Sequence, residues 1–273
     1  MSVDWRALDR GAATLDGAAG LIALDADGRV LYERAADETY PAASVIKIPI
    51  LMTVHADAAE GRLSLDERLP VGRHMPGTGV LGHLPGVADL TIRDHAMLMT
   101  IVSDNTSTNR LMERIGVERI AVRMRAWGCE RTQLRRKMFD FEAANRGLDN
   151  VATPREMAGL LLRLVRGELV DPATSVAVLA VLEQTQDDAL VRRYLPARTR
   201  VAHKTGSLDK VRNDAAAIWE SSSSERPVIA VGFVNGVPDI RPARSLLGLL
   251  GWLAYGEAGG DARGLPSEWP EAR

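Results

Sequence analysis

Segments with strand-like alternation stand at both ends of this chain, and this arrangement constrains its fold more than any other sequence feature. Residues 21–24 and 29–32 are apolar runs on either side of the turn Asp25-Ala26-Asp27-Gly28, a pattern typical of a β-hairpin. Three further alternating segments follow Pro196, at residues 200–204, 214–219 and 228–234. The stretch between the two regions has helical periodicity. The sequence therefore predicts an α/β fold of the α+β type: one antiparallel sheet built from both chain ends and flanked by helices, with an inserted all-helical subdomain.

These segments predict one domain over residues 1–255. Its α/β part comprises about residues 1–40 and 186–255, and its helical part comprises about residues 41–185. Residues 256–273 are rich in glycine, proline and charge, so we expect them to form a loose C-terminal tail.

Composition limits the functions that such a domain can have. Hydrophobic residues make up 46% and charged residues 26% of the 273 residues, the ordinary range of soluble globular proteins. The formal net charge is −2, so the overall charge does not favour nucleic acid or an anionic membrane as a partner. No apolar stretch approaches the roughly 18 residues of a membrane helix. We therefore expect no nucleic-acid or membrane partner. We also expect a monomer that acts on a small molecule without a metal or cofactor.

Cysteine usage and the first residues bear on location. Cys129 is the only cysteine, which excludes an internal disulfide and fits a reducing compartment. Residues 1–6 lack the basic start and apolar core of a signal peptide. The chain as it stands is therefore expected to be cytoplasmic, whereas a leader ahead of it would make the protein periplasmic or secreted.

Lysine is rare in this chain. Of the 34 basic residues only four are lysines, which leaves 34 − 4 = 30 arginines; the lysines are Lys47, Lys137, Lys204 and Lys210. An ammonium group can lose its proton near neutral pH when it is desolvated, and a guanidinium group cannot. Each lysine is therefore a candidate for a role that arginine could not fill.

The first candidate catalytic group is Ser44-Val45-Ile46-Lys47, at the predicted start of a helix that runs to Ala59. Residues three apart share a helix face, so the Lys47 amine can reach the Ser44 hydroxyl, and a neutral lysine can activate a serine nucleophile. The motif is weak by itself, because Ser207-Leu208-Asp209-Lys210 has the same spacing. An N-cap serine beside a solvated lysine would also give this pattern.

Two further motifs carry polar groups at the ends of regular elements. Ser103-Asp104-Asn105 lies between two helical segments, where it could relay a proton and hold a carbonyl group, or simply cap the next helix. His203-Lys204-Thr205-Gly206 lies at the predicted end of a strand. Its glycine permits close approach to a ligand and its lysine and threonine suit an anion, although an edge strand with a solubilising lysine would look alike.

In this order, Ser-x-x-Lys, Ser-Asp-Asn and Lys-Thr-Gly form the triple signature of penicillin-recognising serine enzymes. Their surroundings agree as well, in residues 103–111, in the helix start Thr153-Pro154 and in residues 189–196. From about residue 20 to residue 255 the chain thus resembles the class A β-lactamase family. Its departures from the pattern resemble a less-studied branch of serine hydrolases with the same fold.

The resemblance implies a role for each motif in acylation. Ser44 would be the nucleophile, and Lys47 would accept its proton, with a pKa lowered by desolvation and by the positive charge of Lys204. Ser103 would pass the proton to the leaving nitrogen. Asn105 would position Lys47 and the amide of the substrate.

The resemblance also implies how the substrate is held. Lys204 and Thr205 would bind its carboxylate. The backbone N–H groups of Ser44 and of Ser207, the residue after Gly206, would form the oxyanion hole.

Two parts of the family pattern are displaced in this sequence. Class A enzymes release the acyl group with a loop glutamate that is followed four residues later by an asparagine, whereas Glu142 and Asn145 are three apart. Glu142 is the candidate base, Asp140 is the alternative, and both could instead be solvated loop carboxylates. Arg212 stands near the place where class A enzymes often carry a carboxylate-binding arginine.

The leading hypothesis is a serine hydrolase that opens β-lactam amides through a Ser44 acyl-enzyme. A second hypothesis keeps the nucleophile but makes the protein an esterase, amidase or D-peptide hydrolase. A third hypothesis is a penicillin-binding module that is acylated but deacylates poorly, which the displaced Glu142 motivates.

Overall fold

The computed structural model describes residues 3–266 and 269, and its centre is a five-stranded antiparallel sheet. The strands of the described chain are β1 (Ala18–Leu24), β2 (Val30–Arg34), β3 (Tyr40–Pro41), β4 (Arg68–Pro70), β5 (Asp89–Thr91), β6 (Val151–Ala152), β7 (Arg200–Leu208), β8 (Val211–Trp219) and β9 (Val228–Asn235). The large sheet has the order β2-β1-β9-β8-β7, so both chain ends contribute to it. This confirms the predicted fold class.

Helices cover both faces of this sheet. Most of them lie in the part of the chain between β2 and β7, which is inserted between strands of the sheet. In the described chain they are α1 (Arg6–Ala13), α2 (Lys47–Ala59), α3 (Ile92–Ile101), α4 (Asn105–Ile115), α5 (Val117–Ala126), α6 (Phe141–Asn145), α7 (Pro154–Val165), α8 (Pro172–Leu182) and α9 (Ile240–Glu257). Helix α9 packs on β8 and β9 from one side, and α7 packs on β1, β8 and β9 from the other. Within the described residues, no helix combines the length and apolar character needed to cross a membrane.

The core is divided by the sheet into two apolar clusters. Along β9, Ile229 and Val231 face the cluster beneath the helical region, while Val228 and Ala230 face the cluster beneath α9. This division follows from the period of two in a β-strand, which sends successive side chains to opposite faces. A strand buried on both faces therefore consists almost entirely of apolar residues.

The segment predicted to be a loose tail contributes to the second cluster. The Trp269 side chain is buried at 4% exposure, and its ring lies so close to Gly11 of α1 that a Cβ atom there would approach it to 2.9 Å. Trp252 of α9 donates a hydrogen bond from Nε1 to the Gly264 carbonyl at 3.0 Å. Burial of a large indole ring outweighs the polar composition of its neighbours. Residues 267, 268 and 270–273 of the predicted tail lie outside the described residues.

A buried ion-pair network joins α2 to α5. The Asp57 carboxylate is 4% exposed and accepts hydrogen bonds from Arg119 Nη2 at 2.9 Å and from Arg123 Nη2 at 2.6 Å. Burial alone would raise the pKa of Asp57, but the two arginines outweigh burial and hold it below its ordinary value. Because the pKa is depressed on folding, the network stabilises the protein above the unfolded-state value of about 3.9 and loses this effect as pH falls through the folded-state pKa.

We expect Asp57→Ala to lower the free energy of unfolding by about 3 kcal/mol, because it removes the counter-ion of Arg119 and one of the two carboxylates that pair with the mostly buried Arg123. Urea unfolding at pH 7 measures this loss. The matched control is Asp89→Ala, which breaks the exposed Arg68–Asp89 pair and should cost less than about 1 kcal/mol. Equal losses in the two variants would contradict the role assigned to the network.

Candidate active site

Ser44 lies on a turn of 3-10 helix, Ala43–Ile46, that leads directly into α2. The sequence predicts an α-helix from Ser44 onward, whereas the α-helical geometry begins at Lys47. Strand β7 passes close to this turn: a Cβ atom on Gly206 would stand 3.0 Å from the backbone nitrogen of Ser44 and 3.1 Å from the Ala42 carbonyl oxygen. Only glycine permits such an approach. The backbone near Ser207 and the backbone of the nucleophile are therefore neighbours.

Lys47 is buried at the base of this turn and has three hydrogen-bond acceptors. Its Nζ donates to the Ser103 carbonyl oxygen at 2.8 Å, to Ser103 Oγ at 3.0 Å and to Asn105 Oδ1 at 2.9 Å. Burial lowers the pKa of Lys47 well below its ordinary value, and the charge of Lys204 lowers it further against the opposing effect of Asp104. Among the described contacts, no hydrogen bond joins Lys47 Nζ to Ser44. The amine thus reaches the second motif directly and is poised to lose a proton.

The Ser103-Asp104-Asn105 motif forms the junction between α3 and α4. Asp104 caps α4 by accepting from the Ser107 N–H at 2.8 Å, and its other oxygen accepts from the Val80 N–H at 2.8 Å. Ser103 adopts a left-handed backbone with φ of +57°, which directs both its carbonyl and its hydroxyl oxygen to Lys47. Within this motif Asp104 therefore caps the next helix, while Ser103 and Asn105 contact Lys47.

Lys204 lies on β7 and is 1% exposed. Its one hydrogen bond to a described residue goes to the Thr205 carbonyl oxygen at 3.0 Å. Burial lowers the pKa of Lys204 to about 8, although Asp214 and Asp187 favour its charged form. Behind the strand, the fully buried Asp214 carboxylate contacts His203 Nδ1 at 3.2 Å. A buried ammonium group with so few partners is suited to binding an anion.

These groups surround a cavity of about 470 Å³. Its polar lining includes Ser44, Ser103, Asn105, Lys204, Thr205 and Ser207. Its apolar lining includes Ile101, Val102, Met138, Phe139 and Leu208. Lys47 and Gly206 stand behind this surface, where Lys47 contacts Ser103 and Asn105 and Gly206 contacts the Ser44 turn. The three sequence motifs therefore meet at one place although they are far apart in the chain.

Comparison with known proteins agrees with this arrangement. The family model described as Beta-lactamase enzyme family matches residues 5–258. This chain belongs to the beta-lactamase enzyme family. Hydrolysis of β-lactams is the activity of that family, so the resemblance noted in the sequence is confirmed at the family level.

Three relatives illustrate how closely the chain follows this family. Beta-lactamase L2 of Stenotrophomonas maltophilia is 28% identical over 263 residues, covering 93% of this chain and 84% of the relative, and its structure complexed with relebactam has a TM-score of 0.81. A β-lactamase of Sphaerobacter thermophilus has 28% identity and a TM-score of 0.85, covering 94% of this chain and 98% of its own. PBP-A has 27% identity and a TM-score of 0.82, covering 92% and 94%, and a mutant of it was solved as an acyl-enzyme complex with penicillin G.

Two residues predicted to act in the site are not brought to the cavity of this family member. The Glu142 side chain is 85% exposed and pairs with Arg146 at 3.0 Å, one helical turn along α6. Asp140 accepts from the Ala143 N–H at 2.9 Å and caps the same helix. The short helix therefore uses both carboxylates locally, with Glu142 on its outer side.

Arg212 also stays outside the cavity lining. It lies directly opposite Ser207 in the β7–β8 register, but its guanidinium folds back over the turn that joins these strands. There Nη1 donates to the carbonyl oxygens of Leu208 and Val211, both at 2.6 Å. Sequence position could not give the direction of its side chain.

Met138 is one of the residues that this loop brings to the cavity lining, beside Phe139, and it was not among the site residues predicted from the sequence. Asn109 of α4 holds its backbone from both sides, accepting from the Met138 N–H at 2.8 Å and donating to the Met138 carbonyl at 3.0 Å. A signal was available in the sequence, since Asn109 stands one helical turn after Asn105 on the same face of α4. The cavity lining also includes Asp149, whose Oδ1 accepts from Arg136 Nη2 at 2.6 Å, and Asp187, which lies near Lys204.

Proposed function

We propose that this protein is a serine hydrolase that opens β-lactam amides through an acyl-enzyme on Ser44. The observation that carries the proposal is the contact of buried Lys47 with Ser103 Oγ and Asn105 Oδ1 beside a cavity that Ser44 lines. Neutral Lys47 takes the proton of Ser44 as Oγ bonds to the lactam carbonyl carbon. The C–N bond then breaks, and the nitrogen receives a proton through the Ser103 hydroxyl.

Groups on the opposite side of the cavity bind the substrate. Lys204 and Thr205 hold the substrate carboxylate, and the backbone N–H groups of Ser44 and Ser207 hold the developing oxyanion. The close approach of Gly206 to the Ser44 turn supports this pairing, because it brings β7 beside the nucleophile.

Intact-mass spectrometry of the purified protein, sampled from seconds to hours after addition of penicillin G, tests the proposal. We expect an adduct of one penicillin per protein that clears as the drug is consumed in excess of enzyme. Neither adduct nor loss of drug would contradict it and would move the substrate class to esters or peptides.

A second candidate function, penicillin binding with slow release, is favoured by the carboxylates around the cavity. Among the described residues that line it, Asp149 is paired with Arg136 and Asp187 stands beside Lys204, while Glu142 lies outside. Among the described hydrogen bonds, none joins Asp149 or Asp187 to Ser44, so the geometry does not single out a base that would activate water against the ester. A permanent adduct in the same experiment would favour this candidate.

We expect the acylation rate to decline with increasing pH above about 8. Binding of the substrate carboxylate requires charged Lys204, and Lys204 has a pKa of about 8, so its positive charge is present below that pH and lost above it. The second-order rate constant of acylation, measured from pH 6 to pH 10, should show this alkaline limb. The Lys204→Arg variant keeps its positive charge over this whole pH range, so the decline of its acylation rate constant should begin at least one pH unit higher. An unchanged limb in that variant would assign it to another group.

A further inference from the structure

Phe139 stands out in the apolar wall of the cavity because its backbone is left-handed. Its φ is +60°, and among the described non-glycine residues only Ala35, Ala43 and Ser103 also have positive φ. Ala43 and Ser103 flank catalytic groups in the same cavity, whereas Ala35 is exposed elsewhere. A bulky residue in this region is strained and persists only where its surroundings hold it.

The Phe139 ring is held against Gly77 on the neighbouring loop. A Cβ atom on Gly77 would stand 2.7 Å from Phe139 Cζ and 3.0 Å from Asn105 Nδ2, so the glycine is wedged between the ring and the catalytic amide. Asn105 Nδ2 also donates to the Pro76 carbonyl at 3.1 Å. On the other side, the backbone of adjacent Met138 is held by Asn109. Phe139 is therefore a positioned part of the wall that stands next to Asn105.

The substrate described under the proposed function has a defined orientation in this cavity. Under that proposal, the substrate carboxylate binds Lys204 of β7, and the amide that carries the acyl side chain, which is distinct from the lactam amide, lies at Asn105. The acyl substituent carried by that amide must then extend past Asn105, toward the loops that carry Gly77 and Phe139. An apolar wall at this position stabilises the complex with a substrate whose acyl substituent is apolar, because that group is buried against the wall.

We propose that Phe139 is a specificity-determining residue that selects β-lactams whose acyl side chain ends in an aromatic or similarly bulky apolar group. The inference rests on the proposed function, because it requires acylation at Ser44. It assigns Phe139 no part in bond making. The wall discriminates between substrates through burial of their side chain.

The test compares two penicillins that differ only by a phenyl ring, penicillin G and 6-acetamidopenicillanic acid. Second-order acylation rate constants for both are measured by intact mass on the 273-residue protein. Phe139→Gly removes the ring and suits the left-handed backbone, and we expect it to lower the ratio of the two constants about tenfold in favour of the acetamido compound. Phe139→Leu keeps apolar bulk and should change the ratio less than about threefold.

Ala35→Gly is the matched control, because it relieves a left-handed backbone outside the cavity and should leave the ratio unchanged. Phe139→Asn, which also tolerates this backbone, repeats the test if the glycine variant unfolds. A ratio that stays within twofold in the ring-deleted variant would overturn the inference while leaving acylation intact. Absence of an adduct with either compound in the unaltered protein would instead overturn the proposed function, and the inference with it.

Discussion

Replacing Ser44 with alanine should abolish covalent capture of penicillin, with a loss of acylation rate of at least about 10⁴-fold. The substitution removes the atom that bonds to the lactam carbonyl and leaves the base without a proton to accept. No hydrogen bond joins the Ser44 hydroxyl to Lys47 among the described contacts, so the Lys47–Ser103–Asn105 network should survive the change. The protein should therefore fold normally and fail only in chemistry. Intact-mass spectra recorded over hours with penicillin G measure this directly.

Ser222→Ala is the matched control for Ser44→Ala. Ser222 is exposed in the turn between β8 and β9, and the same change of side chain there should leave acylation unaltered. Adduct formation at an undiminished rate in Ser44→Ala would place the nucleophile elsewhere. Unfolding curves of both variants that overlay the curve of the unaltered protein would show that the loss is catalytic.

Replacing Met138 with glutamate should accelerate release of the acyl group by about 10²-fold or more, the usual effect of a positioned general base. Met138 lines the cavity, is 9% exposed and has its backbone held by Asn109 on both sides, so a carboxylate of similar length would enter the cavity at a defined place. Burial there should raise the pKa of the new carboxyl group toward neutrality, where a base is most effective. The decay of the penicillin adduct, followed by mass after removal of free drug, measures the rate.

Two control variants make this result specific. Met138→Gln has the shape of the glutamate without its basic oxygen and should leave the decay rate within about twofold of the original. Glu142→Gln should also leave it unchanged, because that carboxylate is exposed and paired with Arg146. A slower decay of the adduct in Glu142→Gln would show that Glu142 is the base, as predicted from the sequence. Equal acceleration by Met138→Gln would show that a basic carboxylate at this position is not the cause.

The sheet and the three motifs are predictable because they depend on short, regular spacing. The apolar runs of β8 and β9 are buried on both faces, which requires a central position in a sheet that is covered on both sides. Residues of one motif are neighbours on a single turn or strand, so Ser103 and Asn105 reach Lys47 together. The fold then brings these three motifs, which are far apart in the chain, to one cavity.

The loop between residues 135 and 150 is where prediction from spacing fails. Its path depends on contacts with distant parts of the chain, such as Asn109 on Met138 and the Ala42 N–H on the Asn150 carbonyl at 2.9 Å. A shift of one residue along such a loop exchanges the side chain that faces the cavity. The spacing of Glu142 and Asn145 therefore pointed to Glu142, whereas the side chains that this loop brings to the cavity lining include Met138 and Phe139.

The amino-acid sequence by itself thus determined the fold class and the family, and it identified the three motifs that meet at the cavity, because each of these depends on local patterns. Tertiary structure alone decided which loop residues line the cavity, where the guanidinium of Arg212 points and whether Trp269 of the C-terminal segment packs. These outcomes depend on specific contacts in the folded chain. Examples are the hydrogen bonds that Arg212 donates to two carbonyl oxygens and the packing of Trp269 beside α1. Local periodicity carries no information about such contacts, since the partners are chosen only when the whole chain is folded.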